Sequence, residues 1–144
     1  MHIRSNARLA ALVLTALVLA APALAQAADL TLEVKNVQGT SGQILVALFN
    51  KAEGFPHTYW KTGEVVATPG VVKFVFTGIP EGTYAATAFH DQDNNKKLRT
   101  NGLGIPTEPL AFSNNAIGRN GPPAFSDASF KFTGTPQTVT LTLK

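Results

Sequence analysis

Leu30-Thr31-Leu32-Glu33-Val34-Lys35 alternates apolar with polar residues, and Thr138-Val139-Thr140-Leu141-Thr142-Leu143 does so more strictly still. Side chains on an extended chain point to opposite faces in turn, so each segment offers one face to a core and the other to water. Both read as β-strands. Between them, Gln43 to Phe49 is apolar on both parities, with Ile44, Val46 and Leu48 against Leu45, Ala47 and Phe49. That pattern predicts a central strand covered on both sides. Val71 to Phe76 places Val72, Phe74 and Phe76 on one face, Thr83 to His90 and Ala128 to Phe132 add two more strands, and Tyr59 to Val66 supplies a shorter edge strand. Gly39-Thr40-Ser41-Gly42, Thr68-Pro69-Gly70, Gly78-Ile79-Pro80-Glu81-Gly82 and Thr133-Gly134-Thr135-Pro136 punctuate these runs as turns. The expected fold is all-β: a single antiparallel β-sandwich of about seven strands carrying one long loop, Asp91 to Pro123.

Composition agrees with one small domain. The chain has 144 residues, 44% hydrophobic and 15% charged, with 12 glycines and 9 prolines, which suits a turn-rich β protein and not a disordered tail. There is no cysteine. Disulfides, thiolate nucleophiles, zinc ribbons and a lipid-modified N-terminal cysteine are therefore excluded.

The N-terminus reads as an export signal. Arg4 and Arg8 form a basic start, Leu9 to Ala21 is almost wholly apolar, and Pro22 leads into the small-x-small pattern Ala23-Leu24-Ala25. The apolar run is shorter than the ~20 residues that span a bilayer, so a cleaved signal is favoured over an anchor. Residues 1–25 are the expected leader, cut after Ala25 or Ala27, with the sandwich domain over 28–144 and a periplasmic or secreted destination. Losing Arg4 and Arg8 leaves ten basic residues against nine acidic ones. The formal charge of +3 thus belongs largely to the leader. A near-neutral domain has no clustered basic face for nucleic acid, and no transmembrane segment is expected in it.

Gly78-Ile79-Pro80-Glu81-Gly82-Thr83-Tyr84-Ala85, followed by Ala88-Phe89-His90-Asp91, resembles the Gly-x-Tyr strand of transthyretin-like and carboxypeptidase-regulatory-like sandwiches. With Leu98, Thr100-Asn101, Leu103-Gly104-Ile105-Pro106, Phe112-Ser113-Asn114-Asn115-Ala116 and Gly121-Pro122-Pro123-Ala124-Phe125, nearly the whole mature chain is similar to the secreted bacterial family called domain of unknown function 2141. The resemblance implies an exported Ig-like or transthyretin-like sandwich and no particular activity.

The loop holds the candidate sites. Asp91, Asp93 and Asn95 place oxygen ligands at alternate positions, as a Ca²⁺ loop does. Yet Lys96 stands where the sharp turn wants glycine, Arg99 where members of the similar family commonly carry aspartate, and Gly102 where a bidentate glutamate would close the shell. Three acidic residues face four basic ones between Asp91 and Pro123. Asx turns onto the loop's own amides are the competing reading of the same residues. His90 shares parity with Tyr84, Ala86 and Ala88, and is a loop anchor, a transition-metal ligand beside Asp91 or Asp93, or a general base. His57 is a second ligand only if its own loop folds over the same end.

Phe112, Asn114, Asn115 and Arg119 combine an aromatic, amides and an arginine among rigid turns, which suits recognition of an envelope protein, a glycan or a small ligand. The alternative is that this segment covers an open sheet edge. Tyr59-Trp60 offers a stacking surface or edge packing. Ser113, Ser126 and Ser129 lie in no Gly-x-Ser-x-Gly elbow, and no sequence feature pairs Asp91, Asp93, Glu108 and Asp127 across a cleft. The residues therefore favour a non-catalytic binding module acting through loop 91–123, with metal binding by His90, Asp91 and Asp93 as the alternative.

Overall fold

The structure is a computed structural model and describes residues 25–144. Residues 1–24, most of the expected leader, lie outside the described residues. Eight strands follow in chain order: β1 (Ala27–Val37), β2 (Gln43–Phe49), β3 (Lys61–Val66), β4 (Gly70–Pro80), β5 (Gly82–Asp91), β6 (Leu110–Phe112), β7 (Phe130–Phe132) and β8 (Gln137–Thr142). One sheet has the order β4-β1-β8; the other runs β3-β2-β5-β6, with β7 also paired to β5. Leu30, Leu32 and Val34 of β1, Ile44, Val46 and Leu48 of β2, and Ala86 and Ala88 of β5 meet between the sheets. The alternation that marks these strands in the sequence is the alternation that fills this core. No helix among the described residues is long and apolar enough to cross a membrane.

Three features depart from the expected outline. First, β8 runs parallel to β1, from Leu30↔Gln137 to Lys35↔Thr142, so the sandwich is not wholly antiparallel. The turn after β7 carries the chain across to the other sheet, where it enters beside the start of β1. Second, the segment expected to be strand from Ala128 opens as a helical turn, α1 (Phe125–Ala128), and the strand begins at Phe130. The Asp127 carboxylate accepts from the Ala124 N–H at 3.3 Å and stabilises that turn. Third, loop 91–123 is interrupted by β6 and by a 3₁₀ turn at Ser113–Asn115.

Two short strands share one edge of β5. β7 pairs with Gly82 to Tyr84, and β6 with Thr87 to Phe89. Ala86 falls in the gap, and its buried N–H donates to Ser113 Oγ at 2.9 Å, while that hydroxyl donates to Ala128 O at 2.5 Å. A buried backbone donor needs a partner, and a serine hydroxyl replaces the missing ladder bond here. On the far side of β6, Leu110 and Lys144 exchange backbone hydrogen bonds at 3.2 Å in each direction. The tail of β8 thus closes this sheet edge.

Candidate functional site

The five-stranded sheet has a second apolar face. Outward from the core point Leu45, Ala47 and Phe49 of β2, Ala85, Thr87 and Phe89 of β5, and Leu110 and Phe112 of β6. One end of this face is covered: Phe49, Ala85, Phe112 and Ala128 form a small separate core, packed with Phe55 and Phe125. Phe55 lies edge-on to Phe49 at 4.9 Å, to Phe125 at 5.7 Å and to Phe112 at 6.0 Å. The other end is an open groove of about 1760 Å³, floored by Leu45, Ala47, Thr87, Phe89 and Leu110. Its walls come from Pro56 to Tyr59, from Lys96 to Pro106 and from Ala116 to Pro123. The both-parity apolarity of Gln43 to Phe49 thus marks a strand whose outer side is covered in part and otherwise forms a binding floor.

The wall over 96–106 is a small, well-made hairpin. Thr100 bridges to Pro106, the Thr107 N–H donates to Arg99 O at 2.8 Å, and the Asn101 N–H donates to Ile105 O at 2.9 Å. Asn101 Oδ1 accepts from the N–H groups of Leu103 and Ile105 at 2.9 and 3.0 Å, and Gly104 takes φ 76° at the tip. Leu103 and Ile105 are nevertheless 85% and 55% exposed, and Ile117 on the other wall is 70% exposed. An ordered turn that holds large apolar side chains in water loses the stabilisation of burying them, and such clusters mark contact surfaces.

Asp91, Asp93 and Glu108 sit at the base of this wall, with one carboxylate oxygen from each within 4.8 Å of the others. Their oxygens hold the chain. Asp91 accepts from the N–H groups of Asn95 (3.1 Å) and Lys96 (3.0 Å) and from Gln43 Nε2 (2.8 Å). Asp93 accepts from the Asn95 N–H at 3.2 Å and from Arg99 Nη2 at 2.7 Å. Buried Glu108 clamps both ends of the turn, accepting from the N–H groups of Gln92 and Arg99, each at 2.9 Å. The Arg99 guanidinium beside Asp93 holds that carboxyl below the usual aspartate range, and Asp93 in turn raises the Arg99 pKa. Arg99 supplies positive charge to this cluster from the position where an aspartate would have completed a calcium-like pattern. Asn95 contributes turn bonds, donating its N–H and Nδ2 to Asp93 and accepting from the Lys97 N–H at 2.7 Å.

The other sequence candidates separate. His90 is fully buried in the sandwich, where Nε2 lies 2.7 Å from Ser41 O and Nδ1 has no partner among the described residues. His57 lines the groove, so the two imidazoles are on opposite faces of the sheet. Phe112 belongs to the small core. Asn114 Nδ2 donates to Asp127 O and Ser129 O, and Asn115 Oδ1 accepts from the Thr142 N–H at 3.3 Å. Both asparagines adopt positive φ, the conformation in which asparagine is among the better tolerated residues. Of the residues expected to bind a ligand, Phe112, Asn115 and Arg119 line the groove, and Arg119 makes no hydrogen bond or ion pair among the described residues. Trp60 stacks on Tyr84 at 5.6 Å as edge packing, whereas Tyr59 lines the groove. The floor residues Phe89 and Leu110 and the wall residues Leu103, Ile105 and Ile117 escape the sequence reading. The signal available for Leu103 and Ile105 was a Leu-Gly-Ile tip flanked by Arg99-Thr100-Asn101 and Thr107-Glu108.

No curated protein and no solved structure matches the chain. Residues 32–140, from within β1 to within β8, match the family described as an uncharacterized protein conserved in bacteria (DUF2141). The chain belongs to that family.

Proposed function

We propose that this chain is an exported, non-catalytic binding module of the cell envelope, and that it binds through the groove on the outer face of the five-stranded sheet. The leader pattern of the sequence supports export. The observation that carries the binding reading is the pairing of an uncovered apolar sheet face with a hydrogen-bonded turn that keeps Leu103 and Ile105 exposed beside it. Loop 91–123 takes part as a wall whose polar residues brace it and whose apolar residues make contact. Rigid scaffolds commonly carry their binding groups on loops in this way.

Nile red, a neutral apolar dye, tests the reading. Its fluorescence rises in the presence of the native chain and does so much less with Leu103→Asp and Ile117→Asp, both of which alter exposed positions and leave the core intact. An unchanged dye signal in these variants, or no signal with the native chain, contradicts it.

A further inference from the structure

We infer that the groove takes one free, single-chain anionic amphiphile: a long apolar tail ending in a carboxylate. This inference rests on the binding reading above and names its ligand. The floor is the side-chain face of a sheet, Leu45, Ala47, Phe89 and Leu110, and offers no row of backbone partners. On the β6 side the sheet edge is already paired, Leu110 with Lys144, and the free edge of β3 lies at the opposite margin of the floor. A peptide lying on the floor would leave its N–H and C=O groups without partners, which is costly away from water, whereas a hydrocarbon tail has none to satisfy. The groove, about 1760 Å³ and open to solvent, has room for a hydrocarbon tail laid along its floor. Walls on both sides suit a molecule taken from solution better than the flat surface of a membrane.

Charge selects the head group. Among the charged residues lining the groove, Lys96 is paired with Glu64 at 2.9 Å, and Glu108, held by two backbone N–H groups, has the Arg99 guanidinium at 3.8 Å. Lys97 and Arg119, on opposite walls, have no acidic partner among the described residues. Lys144 lies beside Leu110 through its backbone pair, and His57 adds a neutral or positive ring. The uncompensated charge at the rim is therefore positive above an apolar floor, the complement of an acid on a tail.

Titration calorimetry of the native chain with dodecanoate, octanoate and dodecyltrimethylammonium tests this. Dodecanoate binds at one per chain, and octanoate, four methylenes shorter, at least about a hundredfold more weakly. Dodecyltrimethylammonium, with the same tail and opposite charge, binds about tenfold more weakly than dodecanoate at low salt. The double variant Lys97→Glu/Arg119→Glu abolishes that preference, and a far-UV circular dichroism spectrum and thermal melt like those of the native chain show that it is folded. Equal affinity of the two head groups for the native chain overturns the anionic ligand and leaves the groove reading standing. Sedimentation with phosphatidylglycerol vesicles without binding of monomeric dodecanoate overturns it in favour of a membrane surface. Failure of both amphiphiles and of Nile red removes the groove reading itself.

Discussion

Glu108→Gln probes the clamp that shapes the groove wall. The native carboxylate uses one oxygen for the Gln92 N–H and the other for the Arg99 N–H, each at 2.9 Å, and its side chain is buried. A glutamine of the same shape offers one oxygen and one NH₂ group. One backbone N–H therefore meets a donor in place of an acceptor, and the other exchanges a charge-assisted bond for a neutral one. Hydrogen bonds to charged groups contribute about 1.5–3 kcal/mol and a buried donor left unpaired costs about 1–3 kcal/mol, so the variant loses about 2–4 kcal/mol. For a domain of this size that lowers Tm by roughly 10 °C. Urea unfolding gives the free energy, and amide hydrogen exchange gives the location, with protection falling first at Gln92 and Arg99. Nile red binding weakens in parallel because Leu103 and Ile105 lose their fixed placement. A variant within about 0.5 kcal/mol of the native chain, with unchanged exchange at those two amides, refutes the clamp.

Ser113→Ala removes the hydroxyl that pairs with the Ala86 N–H in the gap between β6 and β7, and costs about 1–3 kcal/mol in chemical unfolding. Ser113→Thr is a weaker perturbation if its hydroxyl keeps the same partner. Gly42→Ala would place a Cβ 2.0 Å from Asp91 O at φ 75°, so the variant is strongly destabilised or insoluble, which expression and thermal melting report directly. Acid acts on the loop through Asp93. Its folded pKa lies below the ordinary ~3.9, so its stabilising contribution is complete above that value and is lost as pH falls through the lowered one. Protection of the amides of residues 93–99, taken relative to the intrinsic exchange rate at each pH, therefore holds down to about pH 4 and falls below it; Arg99→Ala, which removes the cause of the shift, brings that transition to higher pH.

The strand framework was legible because period-two alternation is a direct consequence of having one buried face. Leu30 to Lys35 and Thr138 to Leu143 show it in the sequence and lie side by side in the structure. Their parallel pairing was not legible, since alternation records which side of a strand is buried and carries no direction. The three-residue strands β6 and β7 are too short to show a period, and Ser113 matters through the N–H of Ala86, 27 residues away in the chain. At the site, the Asx-turn reading of Asp91, Asp93 and Asn95 followed from local chemistry and agrees with their hydrogen bonds. Glu108 enters that cluster across a 16-residue separation from Gln92, a pairing that composition and spacing do not encode. The groove was missed for a related reason. A strand apolar on both parities implies two covered faces, and only the tertiary arrangement shows that the cover over the outer one stops at Phe49, Ala85 and Phe112.

Chemical-shift mapping of the isotopically labelled domain during titration with dodecanoate locates the binding surface residue by residue. Binding at the groove moves the resonances of Leu45, Ala47, Phe89, Leu103, Leu110 and Ile117, and leaves Val71 and Val75, exposed on the other sheet, unchanged. Shifts centred on Val71 and Val75, or a titration that leaves the groove resonances in place, would contradict the assignment of the binding surface.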